Sequence, residues 1–453
     1  MLKNWGNKMQ KKSKKKLIII IILLVVLINS AIAGVVLYQN HLKEEAKKAE
    51  EAERIKNEKK LVSEIKEAYN EVVYGINEET TLYTKNKDKY EPTGKVGKDI
   101  KITLEEIKDI TIDNEYFKVT NIDGEYYVHY KDIETKEEIK TSTKQTGMGS
   151  LSLRYKNYIP FNENVVTKDE YSLYSTEDKF LYTLKGSISK PILIKKSDKY
   201  YFEFQNSLVY VKKDDVEKLE KANNTTVTPS SQMAVLLYHF FYDKNNAAER
   251  NECNQSICMS TELFRQHLDY MKNNGFFTPN MDEFEMYIGG ELRLPKKSVL
   301  ITIDDGWYSG GGTQALTEYK MNGTMFLISS AYDPKWTVTD YIEVHSHTDN
   351  MHINYQCTPN TSYSQGGALL CWDEQKILND LKLSREKLYN THVFAYPFYD
   401  YNDRALKLLK QSGFTMAFIG GYRKADVGVD KMLVPRYTIM GYDSVNTLAS
   451  LIN

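Results

Sequence analysis

Cysteine is scarce, four in 453 residues, and no two stand at CxxC spacing, so a zinc-binding module built on thiolates is not signalled. Charge of one sign is not in excess. The formal net charge is −1, and a chain whose Lys and Arg balance its Asp and Glu carries no nucleic-acid footprint. The glycine run Gly310-Gly311-Gly312 lacks the lysine of a phosphate loop and has no GxGxxG spacing, so it reads as a flexible loop over a site. Histidine is limited to eight positions, none after His392. Proline is missing from His41 to Asn77, and long apolar runs are missing everywhere except near the start. At this length two or three domains are expected.

That one apolar run, Leu17 to Leu37, is long enough to cross a bilayer as a helix of about 20 residues. Lys3, Lys8, Lys11, Lys12, Lys14, Lys15 and Lys16 precede it, which predicts a single-pass cell-membrane protein with a cytoplasmic N-terminus and everything later outside. Ala31-Ile32-Ala33 resembles a cleavage site, but apolar residues continue past it, which favours an uncleaved anchor. An oxidising exterior suits the cysteines: of three possible pairings, the local bridges Cys253 to Cys258 and Cys357 to Cys371 are the simplest.

Residues 1–38 thus form a basic tail and anchor, and the Lys, Glu and Ala of 39–78 predict a helical stalk with a thin stripe of Leu61, Ile65, Ala68 and Val72. Tyr, Ile, Val and Thr then alternate with short polar breaks, the pattern of small antiparallel sheets. Thr81-Leu82-Tyr83-Thr84 is echoed by Ser172-Leu173-Tyr174-Ser175, and Tyr127 to Ile133 by Tyr210 to Val216. The echo predicts two small β modules, 79–135 and 136–222, that resemble bacterial SH3-like domains. Residues 223–232 have linker composition. From 233 to 453 strands alternate with helices, with strands expected at 233–238, 298–303, 324–329, 341–345, 391–396, 415–419 and 434–439. This alternation argues for an α/β fold, a parallel barrel, complete or incomplete. His267, on the apolar face of a helix expected over 261–274, reads as a core-edge histidine.

Within that domain Ser298 to Gly306 runs an apolar strand into two adjacent carboxylates, Asp304 and Asp305. Asp-Asp-Gly alone is as readily a turn. Some forty residues later His345, His347 and His352 crowd into one stretch, and carboxylate with imidazole is the donor set of a divalent transition metal. Residues five apart on a straight helix point about 140° from each other, so His347 and His352 can share an ion only across a loop. His239, Asp304, Asp305, His345, His347 and Pro397 all fall near the C-terminal ends of expected strands, where such folds place chemistry.

These residues carry a resemblance. Thr302-Ile303-Asp304-Asp305-Gly306 resembles the first motif of the NodB-type polysaccharide deacetylases, carbohydrate esterase family 4. His347-Thr348-Asp349-Asn350-Met351-His352 is similar to the histidine motif of the branch acting on poly-N-acetylglucosamine, and Ala395 to Asn402 to its third motif. Leu237-Tyr238-His239 and Gly323 to Leu327 match in order, so the similarity covers about half of the chain, from Met233 onward.

The resemblance implies a distorted (β/α) barrel in which Asp305, His347 and His352 hold a divalent metal and Asp304 is the general base. The metal would be zinc, with cobalt, nickel or iron as alternatives. Pro397, Phe398, Tyr399 and His239 would line the substrate site, with a backbone N–H near Phe398 facing the oxyanion. The partner would be an N-acetylglucosamine polymer, peptidoglycan or exported poly-N-acetylglucosamine. Two departures stand out: the arginine of the third motif is Ala395, and no late Leu-x-His exists, Leu433-Val434-Pro435-Arg436 standing there instead. The general acid is then open among Asp304, water, His239 and His345. These losses keep two other functions in view, an inactive barrel that binds wall polysaccharide and an O-acetyl esterase. Trp307, Tyr308, Trp336, Trp372, Tyr399 and Tyr401 could stack on sugars or simply pack.

Overall fold

A computed structural model describes residues 3–67, 73–105, 115–136, 154–253 and 255–453. The chain divides into two compact units, Met1–Pro92 with Lys98–Glu138, and Thr93–Gly97 with Ile139–Asn453.

In the first unit a single helix, Lys3–Glu67, runs unbroken from the apolar run into the Lys- and Glu-rich segment. No proline interrupts it, and its polar half is built from good helix formers. Among the described residues it is the one helix long and apolar enough to cross a membrane. Beyond it the strand Glu79–Asn86 pairs with Tyr126–His129, Tyr83 facing Tyr127. A 3-10 turn, Tyr130–Asp132, leads into Ile133–Thr135, which lies antiparallel to Val73–Gly75.

The second unit contains the echo of this arrangement. The strand Glu170–Ser175 pairs with Ser207–Lys212, Tyr174 facing Tyr210, and the 3-10 turn Lys213–Asp215 leads into Val216–Lys221, antiparallel to Glu163–Thr167. Leu82 and Leu173, the apolar members of the repeated tetrapeptide, are both fully buried. The repeat in sequence is therefore a repeat of strand, turn and strand.

The rest of the second unit is a parallel sheet. Its strands are β1 (Gln232–Tyr238), β2 (Val299–Asp305), β3 (Gly323–Leu327), β4 (Ile342–Ser346), β5 (Val393–Ala395), β6 (Met416–Phe418) and β7 (Tyr437–Thr438). Strands β1 to β6 are neighbours in sequence order. Residues 434–438 touch both ends of the run: Val434 bridges Phe418, Tyr437 bridges Gly421, and β7 pairs with β1. Alternation decides which side chains face inward. Leu300, Phe326, Val393, Ala395 and Phe418 gather with Phe284 of helix Met281–Ile288 in one core. Val299, Ile301, Ile303, Met325 and Val344 pack on the other face against Phe264, Leu268 and Met271 of helix Thr261–Asn273. Asp304 shares the parity of Leu300, and His347 is opposite in parity to Val344, so both point to the inner side.

Two local expectations are revised. The run Gly310-Gly311-Gly312 is not a flexible loop: it opens the helix Gly310–Tyr319. A Cβ on Gly312 would come within 2.3 Å of the Phe241 ring and one on Gly311 within 2.6 Å of Thr261 Oγ1, so the glycines permit close packing of that first turn. Asp304 and Asp305 lie within β2 rather than beyond it, because they continue the ladder opposite Phe326 and Leu327. His267, expected at the edge of the core, is fully buried within it, its Nδ1 paired with Tyr238 Oη at 3.1 Å and its Nε2 with the Asp443 carbonyl at 2.9 Å.

One buried ion pair ties the second β module to the parallel sheet. Arg154 Nε donates to Glu283 Oε1 at 2.8 Å and Tyr158 Oη donates to the same oxygen at 2.7 Å, while Oε2 accepts the Asn280 N–H at the helix start. Glu283 is wholly buried, and removing one partner of such a pair strands the other charge. R154A should cost about 3 kcal/mol of stability in denaturant unfolding, and R154A/E283Q should recover part of it. Equal stability of wild type and R154A would remove this role.

On the same helix Glu285 accepts from His392 Nε2 at 2.8 Å and Lys431 Nζ at 3.0 Å. The His392 bond, then Lys431, hold the carboxyl at about 2, and the Glu285 bond raises His392. The lowered carboxyl contributes fully above its ordinary 4.5 and fades toward 2; the raised imidazole contributes fully below its ordinary 6.5 and fades through its higher folded value. The stability margin of wild type over E285Q should therefore be widest between pH 4.5 and 6.5, measured by thermal unfolding across pH. A margin that grows above this window would contradict it.

Candidate active site

The inner ends of four strands meet at one point. Asp305, last in β2, adopts φ 73° and is followed by Gly306 at φ 99°; a left-handed aspartate is strained, and such strain is kept where it aims a side chain. Its Oδ1 lies 3.2 Å from His347 Nε2 and 3.2 Å from His352 Nε2, and the three ligand atoms are all within 4.8 Å of one another. His347 directly follows β4. Its Nδ1 donates to the Ala395 carbonyl at 2.9 Å, which orients the ring with Nε2 facing Asp305, a donor to the carboxylate when protonated and a ligand atom when not. Between the two imidazoles the chain turns through Thr348, φ 75°. Asp380 accepts the N–H groups of Asp349 and Asn350 at 2.8 and 2.7 Å, and buried Met351 seats the loop among Ile377, Leu381 and Phe394. The loop required to bring His352 round is thus built by tertiary contacts.

Electrostatics favour an anionic carboxylate beside a neutral imidazole. Burial, then neighbouring His347, push His352 down to about 4. Burial would raise Asp305, but the His347 hydrogen bond and the surrounding imidazoles outweigh it and hold the carboxyl well below its usual range. Burial likewise opposes protonation of His347, yet the Asp304 and Asp305 carboxylates carry it above its ordinary value. One carboxylate and two convergent imidazole nitrogens suit a divalent cation.

Asp304 is held differently. Arg436 donates from Nη1 to Oδ1 at 2.7 Å and from Nη2 to Oδ2 at 2.8 Å, and both residues are buried. The guanidinium is further fixed by Nε to the Ile419 carbonyl at 3.3 Å and by contact with the Phe326 and Phe418 rings. Asp304 Oδ2 stands 3.9 Å from His347 Nε2, beside the candidate ligands but not among them. This arginine stands 41 positions after Ala395. Its one sequence signal is a lone cation amid the apolar residues Val434, Pro435 and Ile439, which must find an anion if buried.

His239, Asp304, Asp305, His347, His352, Phe398 and Tyr399 line one cleft of about 530 Å³. His239 directly follows β1; its Nδ1 is buried without a partner, and burial lowers its basicity. His345 is engaged elsewhere, Nδ1 bonding Thr391 Oγ1 at 2.6 Å with Nε2 3.7 Å from Glu343. Phe398 and Tyr399 hold consecutive left-handed conformations, φ 58° and 62°, and Tyr399 Oη pairs with Thr438 Oγ1 at 3.0 Å. Pro397 is buried and is not among the lining side chains. Of the six aromatics flanking the motifs only Tyr399 lines the cleft; Trp307 packs on Phe240 and Tyr401 on Tyr396. The lining also includes Tyr422, which no sequence motif marked. Both local disulfides form, Cys253 to Cys258 and Cys357 to Cys371.

Residues 291–417 match the family model described as polysaccharide deacetylase. The chain is 24% identical over 220 residues to YxkH of Bacillus subtilis (strain 168), provisionally named a polysaccharide deacetylase, an alignment covering 46% of this chain and 70% of that protein. Among solved structures it is similar to the Streptococcus pyogenes deacetylase PplD in complex with acetate, at 20% identity and TM-score 0.41 over 50% of this chain and 100% of the other. It is also similar to IcaB from Ammonifex degensii, at 22% identity and TM-score 0.41 over 50% and 99%.

If the three convergent donors form the cation site, calorimetric titration of the full chain in detergent with Zn2+ should show one tight site. H347A, H352A and D305A should each lose at least tenfold in affinity, whereas D304N should bind within a few-fold of wild type. Unchanged binding in H352A would refute the ligand set.

Proposed function

We propose that this chain, which matches the polysaccharide deacetylase family model over residues 291–417, is a metal-dependent NodB-type N-deacetylase of N-acetylglucosamine polymers. The observation that carries the proposal is Asp304, gripped by Arg436 and set beside the convergent Asp305, His347 and His352. A divalent cation on those three donors, zinc by preference, would supply Lewis acidity toward an acetamide carbonyl and an attacking water.

The chain's own groups do the rest. Asp304 accepts the proton of the water as it attacks, and Arg436, bonded to both its oxygens, keeps it aimed and leaves no freedom to rotate onto the ion. The oxyanion is assigned to the backbone N–H of Phe398, which lines the cleft, the Tyr399 N–H being held by the Tyr396 carbonyl. The proton taken up by Asp304 reaches the departing amine through the neutral imidazole of His239, which lines the cleft and whose buried Nδ1 has no partner, since His345 is occupied by Thr391. Acetate and a free amine result. Arg436 beside Asp304 weighs against one of the two grounds for the rival reading of an inactive, purely binding domain, the missing arginine.

The same reading covers the architecture. The parallel sheet is a distorted (β/α) barrel whose ends meet through residues 434–438. The two repeated modules are SH3-like, and the helix Lys3–Glu67 serves as membrane anchor and stalk, presenting the domain outside the cell to exported poly-N-acetylglucosamine or peptidoglycan.

Incubated with β-linked N-acetylglucosamine tetramer, the full chain in detergent should release acetate and generate primary amines in equal amounts. Chelator should abolish both and Zn2+ restore them. D304N should lower kcat by roughly 10²- to 10⁴-fold, and H239N should lower kcat more than it changes KM. Acetate without new amines would point to the O-acetyl esterase, and neither product to the binding protein.

A further inference from the structure

The cleft extends beyond the reacting groups, and we propose that its outer part is a subsite for an uncharged sugar unit next to the one being deacetylated, built from Tyr422 and the two disulfide-tied loops. This rests on the deacetylase reading and narrows its substrate class.

Tyr422 is 88% exposed although it lines the cleft. Its presentation is firm. A Cβ on Gly420 would lie 2.8 Å from the Tyr399 ring and one on Gly421 3.2 Å from Pro435, and Gly421 bridges Tyr437. The backbone that offers the ring is wedged against the site, and an open aromatic face of this kind matches the apolar face of a pyranose.

Neutral amides supply much of the remaining outer lining. Gln255, with Ile257, comes from the loop closed by Cys253 and Cys258; Gln365 lies on the segment closed by Cys357 and Cys371, and Asn354 just before it. Asn354 Nδ2 donates to Gln365 Oε1 at 3.3 Å. Among the described residues this leaves the Asn354 oxygen and the Gln365 NH2 without a partner, one acceptor and one donor for sugar hydroxyls. Both loops are held in place. Asp400 accepts the N–H groups of Gln365 and Gly367 at 3.2 and 2.7 Å, and Gly441 N–H donates to the Ser256 carbonyl at 2.7 Å. Polar groups fixed before the ligand arrives cost less ordering on binding.

Charge supplies the discrimination. No Lys or Arg is found among the described residues lining the cleft, and Arg436 beneath it is saturated by Asp304. A neighbouring unit bearing a carboxylate, such as a lactyl ether, would find no cation among these lining residues and would share the cleft with the carboxylates of Asp304 and Asp305, a juxtaposition of like charge that disfavours it. The geometry therefore points to uncharged N-acetylglucosamine homopolymer over strands that alternate with lactyl-bearing units.

The test compares Y422A and Y422F with wild type, all as full chains in detergent with Zn2+ bound to the same extent. On β-linked N-acetylglucosamine tetramer, Y422A should lower kcat/KM about tenfold, mainly through KM, while Y422F stays near wild type. Wild type should also bind the tetramer at least tenfold more tightly by calorimetry than a glycan strand of equal length with alternating lactyl carboxylates. Equal KM in Y422A and wild type, or preference for the carboxylate-bearing strand, would overturn the subsite. If no acetate is released at all, the deacetylase reading fails, and the calorimetric comparison of wild type with Y422A still decides whether the subsite exists.

Discussion

The site depends on a fully buried, two-pronged ion pair between Arg436 and Asp304. Taking both charges out of water is expensive, and such a pair adds little to stability compared with apolar packing. Its value is directional. Two adjacent carboxylates would otherwise compete for one cation, and the guanidinium separates their roles by occupying both oxygens of the first. Asp305, released by its left-handed backbone to turn the other way, is then the carboxylate that faces the imidazoles.

The parallel sheet makes that separation possible. Each strand delivers its last residues to the same end, and strict alternation sends Asp304 and His347 inward while Ile303 and Val344 stay in the outer layer. Arg436 enters from the segment that touches both the first and the sixth strand. The contact that closes the run of strands and the contact that orients Asp304 are thus the same stretch of chain. Stability of the sheet and competence of the site are coupled there, since loss of one places a naked charge in the other.

Disulfides and tight turns do comparable work at the rim. The loop between His347 and His352 relies on Asp380 for its backbone hydrogen bonds, and the loop beyond it relies on Asp400 and a disulfide. Asp380 belongs to no recognised motif and Asp400 lies within the third, yet each satisfies N–H groups that a turn leaves orphaned.

Short-range pattern was legible in the sequence alone: the apolar run, the alternating strands, the paired aspartates, the spaced histidines, the local cysteine pairs and the repeat of Leu82 and Leu173. Periods of 2 and 3.6 residues and spacings of a few residues are written directly into neighbouring positions. What only the tertiary structure decided were contacts between residues far apart in the chain. Arg436 and Asp304 are 132 positions apart, His345 is diverted by Thr391 while His239 is left lining the cleft, the glycine run is a helical turn packed at Gly312 against Phe241, and Tyr422 is brought to the rim. Such pairings follow from which strands lie side by side and how closely their side chains pack, and no local pattern specifies that order.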